Sequence, residues 1–185
     1  GPVVGWAEAV AHRRQYESGV WTGGSVGFGH RRLSIIDLSE AGHPPMFNES
    51  GDVVITYNGE LYNYLELREQ LKASGHRFRS QTDTEVIIHA YEEWGTDCLA
   101  RFNGHFAFAI WDSTARHLFL ARDRFGVKPL YYAWQNGCLV FASEIKSILL
   151  HPSISRSVST EALNEYFTFQ KDRKSTRLNS SHALI

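Results

Sequence analysis

Short strand-like runs dominate the chain and are broken once, near the middle, by two helices in succession. The runs are Ser25–His30, Leu33–Asp37, Val53–Tyr57, Phe106–Trp111, Leu118–Ala121, Leu130–Trp134 and Leu139–Ala142, each rich in β-branched or aromatic residues. Turn chemistry separates several of them. Trp134-Gln135-Asn136-Gly137-Cys138 predicts a hairpin, because Asn and Gly tolerate the positive φ that such turns require. The helices are announced by Asn63-Tyr64-Leu65-Glu66 and Thr82-Asp83-Thr84-Glu85, both with capping-box spacing. Tyr64, Leu67 and Leu71 then recur at helical spacing up to Gly75. Val86, Ile87, Ala90, Tyr91 and Trp94 form one apolar face that ends at Gly95. Ser143–Leu150 and Thr160–Phe167 are shorter helical candidates. Strands on both sides of a helix pair predict an α+β fold, two antiparallel sheets packed together with helices outside.

Composition narrows the function. At 185 residues and 43% hydrophobic, one core is the default. Lys+Arg 19 against Asp+Glu 20 leaves no basic excess for nucleic acid, and no apolar run reaches membrane-spanning length. Two cysteines, Cys98 and Cys138, show no metal-ligand or disulfide spacing, so no metal is expected and a reducing cytoplasm fits. Residues 1–10 are expected to be a leader outside the domain, and residues 11–170 the domain, incomplete at its N-terminus. From Lys171 to Ile185 the chain is polar and basic without hydrophobic period; Asp172–His182, DRKSTRLNSSH, resembles an in-frame translation of a sequencing adapter and is expected to be a non-native tail. Without it the domain is mildly acidic.

Three polar features stand beside apolar runs. Arg32 opens the strand Leu33-Ser34-Ile35-Ile36, Asn58-Gly59-Glu60 closes the strand Val53–Tyr57, and Asp83 lies at the mouth of the second helix. Taken singly, a rim arginine, a turn and a helix cap account for them. Taken together, they offer the means of holding a free amino acid. A guanidinium grips a carboxylate and a carboxylate holds an ammonium. An Asn amide with a glycine N–H stabilises an oxyanion, because glycine lets the backbone approach closely.

Six blocks, GFGHRRLSIIDLS (27–39), YNGELYNYLELREQL (57–71), FRSQTDTEVIIHAYEEWG (78–95), FNGHFAFAIWD (102–112), ARDRFGVKPLYY (121–132) and FASEIKSIL (141–149), closely resemble the amino-terminal, class II glutamine amidotransferase domain of bacterial glutamine-hydrolysing asparagine synthetases. The resemblance implies an N-terminal-nucleophile (Ntn) hydrolase fold and L-glutamine as substrate. It implies that Arg32 binds the glutamine α-carboxylate, with the backbone of Leu33, Ser34, Ile35 and Ile36 lining the same pocket. Asn58 and Gly59 resemble the oxyanion-hole pair, Glu60 a contact to the substrate amino group, and Asp83 the carboxylate that holds the ammonium. No cofactor is implied for this domain. ATP and magnesium belong to a C-terminal ATP-pyrophosphatase domain of the parent enzyme, which amidates aspartate, and a homodimeric parent is compatible with the resemblance. For Arg122, Asp123, Arg124 and Lys128 no catalytic role is implied, and a buried or interfacial ion network is expected.

The sequence departs from the family in one place that bears on chemistry. The family nucleophile is an amino-terminal cysteine whose own α-amine can serve as base. Here residue 1 is Gly1, and the family's HRGPD block reads His12-Arg13-Arg14-Gln15-Tyr16. Neither Cys98 nor Cys138 carries a free α-amine, and both are expected to be ordinary semi-buried thiols. The polypeptide as given is therefore expected to lack glutaminase activity. An alternative is a non-hydrolysing, amino-acid-binding relic of a synthetase that uses free ammonia or an internal amine, as in β-lactam-forming relatives.

Overall fold

The computed structural model describes residues 17–32 and 45–157, with 160 and 167; the side chains of residues 17, 18, 31 and 32 are outside that description. In chain order the elements are β1 (Glu17–Gly23), β2 (Val26–Arg32), β3 (Met46–Phe47), β4 (Val53–Leu61), α1 (Tyr64–Ala73), α2 (Asp83–Trp94), a 3-10 segment (Gly95–Arg101), β5 (Gly104–Asp112), β6 (His117–Arg122), β7 (Tyr131–Gln135), β8 (Cys138–Ala142) and α3 (Ile145–Ile148). The expected strand Leu33–Asp37 and most of the helical candidate Thr160–Phe167 lie outside the described residues.

The β-runs pair as three antiparallel pieces: β1–β2, β3–β4–β5–β6 and β7–β8. Alternation along β4 assigns its two faces. Val53, Ile55, Tyr57 and Leu61 join Phe106, Phe108, Ile110, Phe119 and Ala121 in the main core beneath α1 and α2, which contribute Leu67, Leu71, Val86, Ile87, Ile88 and Ala90. Val54 and Ala109, from the other face, pack against Phe28 of β2. Phe28 in turn meets the ring of Phe141 on β8 edge-on, centroids 5.7 Å apart. Beyond β7–β8, Ile148 of α3 packs with Ala133, Val140 and Ile154. The layers therefore run helices, four-stranded sheet, paired hairpins, helix, in agreement with two antiparallel sheets between helical layers.

Two local expectations are corrected. Asn58-Gly59 does not end a strand: β4 continues through it to Leu61, paired residue for residue with β5 from Val53↔Asp112 to Leu61↔Gly104. The pairing to β5 satisfies the backbone there, and Leu61 is buried at 2% exposure. Only half of the capping chemistry forms. Thr82 Oγ1 accepts from Glu85 N at 3.3 Å, but the Glu85 carboxylate turns to the N–H groups of Arg79 and Ser80 and to the Ser80 hydroxyl, at 2.7–2.8 Å. Burial alone would raise the Glu85 pKa; His89 and these donors bring it down to about 2. Asn63 does not cap α1 with its side chain, because its amide bridges to Arg101 O and Asn103 N instead. The hairpin at Asn136-Gly137 forms as expected, with φ of 52° and 72° at the two turn residues.

The expected ion network around Arg122–Lys128 is a loop organised by backbone groups, and among the described residues Arg122, Asp123, Arg124 and Lys128 form no ion pair. The buried Asp123 carboxylate accepts from the N–H groups of Phe106, Phe125, Val127 and Lys128, and the Arg122 guanidinium donates to the carbonyls of Gly126 and Lys128. Burial works against the charge on Asp123, yet the four N–H donors hold its pKa below the usual value. A depressed folded pKa stabilises the fold above the unfolded value, near pH 4, and that contribution is lost as pH falls further. Asp123→Asn is expected to lower stability at pH 7 by about 1–3 kcal/mol and to flatten the acid limb of a melting-temperature-against-pH profile below about pH 4.

Candidate functional site

The C-terminal half of β4 is where the sequence-predicted residues meet. Tyr62 N donates to Asn103 O at 2.8 Å, so the N–H groups of residues 58, 60 and 62 face β5. Those of Gly59 and Leu61 consequently face the opposite edge. There β3 covers only Val54 and Ile55, and no described strand pairs with residues 57–61. Asp83, the first residue of α2, fills part of this edge. Its Oδ2 accepts from Leu61 N at 3.0 Å and from the Tyr57 hydroxyl at 2.8 Å. Asp83 is 3% exposed. The Gly59 N–H lies two residues along the same edge, about 7 Å away at the usual rise of a strand.

Asn58 and Glu60 are exposed and share with Val54 and Thr56 the face of β4 that looks toward β2. His30 Nδ1 of β2 lies 2.9 Å from Thr56 Oγ1, and Phe28 packs on Val54. The same step of two residues carries position 32 over Asn58. Arg32 is thus the last residue of β2, at the same end of the sandwich as Asn58, Gly59 and Asp83. The backbone of Leu33, Ser34, Ile35 and Ile36 lies outside the described residues. The structure therefore brings Asn58, Gly59, Glu60 and Asp83 to one end of one strand and ends β2 above it.

A side-chain amide and an edge N–H can face a developing oxyanion here, and a fixed carboxylate can face a cation. Glycine is required at 59 for packing as well as chemistry. A Cβ at that position would stand 2.3 Å from His105 O and 2.7 Å from Phe106 Cα. Tyr57 and the Leu61 N–H were not anticipated as parts of the site. Strand alternation does turn Tyr57 toward the helices, but nothing local announces that its hydroxyl meets Asp83.

The two cysteines belong to other elements, Cys98 to the 3-10 segment and Cys138 to β8. Cys98 is fully buried in the 3-10 segment, deeper than the semi-buried position expected, and burial pushes its pKa up to about 12. Cys138 Sγ lies 3.7 Å from His151 Nε2. A separate cavity of about 750 Å³, with Leu99, Phe102, Leu120, Phe125 and Leu130 in its wall, includes none of the predicted site residues. Among the described residues no helix is long and apolar enough to cross a membrane.

Comparison with known proteins bears on the fold and the family. Glutamine phosphoribosylpyrophosphate amidotransferase of B. subtilis, solved with ADP and GMP, superimposes with a TM-score of 0.57 at 24% identity, over 67% of this chain and 29% of that one. At that identity the likeness establishes the fold, the Ntn hydrolase arrangement. Asparagine synthetase [glutamine-hydrolyzing] 3 of Bacillus subtilis is 45% identical over 161 residues, which is 86% of this chain and 26% of the relative. A putative asparagine synthetase [glutamine-hydrolyzing] of Mycobacterium bovis is 46% identical over 149 residues, 76% of this chain and 23% of the relative. The chain thus spans about a quarter of the length of these relatives. The family described as glutamine amidotransferase domain matches residues 2–183, and the chain belongs to that family.

Proposed function

We infer that this domain binds L-glutamine at the edge of β4 that faces away from β5 and serves as the ammonia-supplying half of an asparagine synthetase. In this reading a second, C-terminal domain uses ATP and magnesium to activate aspartate. Asp83 holds the glutamine ammonium with Glu60 beside it, and Arg32 receives the α-carboxylate. Asn58 and the Gly59 N–H face the side-chain carbonyl, whose oxygen gains charge when a nucleophile attacks. The observation that supports this most is the edge itself, where an N–H that only a glycine can present stands beside a carboxylate pinned by Tyr57 and Leu61. A pinned carboxylate loses little freedom on meeting a cation, so its charge is well used in binding.

Calorimetric titration of the chain with L-glutamine, repeated on Asp83→Asn, tests the reading. An asparagine oxygen can still accept from Tyr57 and Leu61, so the fold is kept while the charge is lost. Loss of a charged hydrogen bond of about 1.5–3 kcal/mol predicts a roughly 10- to 100-fold rise in Kd. Equal affinity in the two proteins contradicts the assignment of Asp83.

A further inference from the structure

At the far end of α2 from Asp83, three potential metal ligands converge that glutamine chemistry does not use. His89 is 1% exposed, and its Nδ1 lies 2.8 Å from Glu92 Oε2, one turn along the helix. His76, from the segment between α1 and α2, brings its Nδ1 to 3.7 Å from the same oxygen. One ligand atom from each of the three residues lies within 4.8 Å of the other two. Ligands bound tetrahedrally at about 2.0–2.1 Å stand roughly 3.3–3.5 Å apart, a spacing that the distances of 2.8 and 3.7 Å bracket.

The second ring of contacts argues further for a site. Ligating histidines usually present their other ring nitrogen to a carboxylate or carbonyl, which fixes the ring and its tautomer. His76 Nε2 lies 3.1 Å from Glu93 Oε2. His89 Nε2 is buried without a hydrogen-bond partner, yet it faces Glu49 Oε1 at 3.7 Å and Glu85 Oε1 at 3.9 Å. The remaining oxygen of Glu92 is held by Asn48 Nδ2 at 2.8 Å. His76 and Glu92 are thus oriented from behind by hydrogen-bond partners, and His89 Nε2 faces two carboxylates. Glu92 and His76 keep side-chain exposures of 24% and 17%, which leaves an entry path and room for a completing water. The cluster was not legible in the sequence, since its donors stand at positions 76, 89 and 92 with no recognised metal-ligand spacing.

We propose that His76 Nδ1, His89 Nδ1 and the Glu92 carboxylate form a binding site for a divalent zinc-type ion between the C-terminal part of α2 and the α1–α2 connection. Imidazole nitrogens with one carboxylate suit zinc, and exclude magnesium and calcium, which prefer oxygen ligands. The ion takes the place of the proton that His89 Nδ1 shares with Glu92, and that proton leaves to solvent. The site crosslinks the α1–α2 connection to α2, so zinc is expected to raise the melting temperature.

The test is calorimetric titration of the full chain with zinc chloride in a non-coordinating buffer, alongside its melting temperature with and without zinc. His76→Ala and Glu92→Gln replace partly exposed groups, and their folds are checked by melting without metal. The expected result is saturable one-to-one binding that weakens by at least about tenfold in either variant, with the zinc-dependent rise in melting temperature lost in both. Should one variant fail to fold, the other decides. Absence of saturable binding, or binding unchanged by the substitutions because the ion sits on other histidines, overturns the proposal.

Discussion

Gly59→Ala is expected to prevent folding, although alanine adds only one methyl group. Its Cβ would lie 2.3 Å from the carbonyl oxygen of His105 and 2.7 Å from Phe106 Cα. Both are backbone atoms of the paired strand, so neither can swing aside as a flexible side chain would. Gly104 across the ladder is confined in the same way, by Glu60 O at 2.3 Å and Leu61 Cα at 2.9 Å. Relief requires β4 and β5 to separate at the centre of the main sheet, which places the substitution among the rare ones that cost more than about 4 kcal/mol. Circular dichroism and thermal melting should find little cooperative structure in Gly59→Ala. Asn58→Ala, one residue away but exposed, should melt within about 0.5 kcal/mol of the parent. Equal melting of Gly59→Ala and the parent would mean that the strands are not so close.

Phe108→Ala should produce the second-largest loss while leaving the chain folded. Phe108 is 2% exposed and lies in an aromatic cluster, with ring centroids 5.5 Å from Phe119, 5.7 Å from Phe106 and 6.4 Å from Phe102. Truncation removes the transferred apolar surface and leaves a cavity that paired strands cannot collapse around, costing about 3–5 kcal/mol. For a domain of this size the melting temperature should fall by on the order of 10 °C. Phe108→Leu fills most of the space and should recover more than half of the loss. A fall of only one or two degrees in Phe108→Ala would show that the helix layer does not seal this face.

Asn-Gly occurs three times in this chain, and two of the occurrences mark how far local sequence reaches. At Asn136-Gly137 both residues take positive φ and the hairpin follows from the dipeptide alone. At Asn58-Gly59 the same dipeptide sits within a continuous strand, because ladder pairing to β5 and burial of Leu61 outweigh the turn preference. The alternation Val53, Ile55, Tyr57, Leu61 carried that information, interrupted only by the glycine. The strands with dense aromatic and branched residues were legible, whereas β1, with two glycines and a serine among seven residues, and β3, two residues long, were not. Asp83 was legible as a carboxylate at a helix mouth. Its anchorage by Tyr57 and Leu61, 26 and 22 positions away in sequence, depends on packing that no local pattern encodes. Likewise, capping spacing at Asn63 says nothing of the distant Arg101 and Asn103 that recruit its amide.

The edge of β4 as the seat of glutamine binding is most directly tested by titrating the ¹⁵N-labelled chain with L-glutamine and following its backbone amides by NMR. The Gly59 and Leu61 resonances should move together and saturate along one binding curve. Immobile Gly59 and Leu61 signals, with glutamine-dependent shifts gathered instead around Leu99, Phe125 and Leu130, would contradict the account.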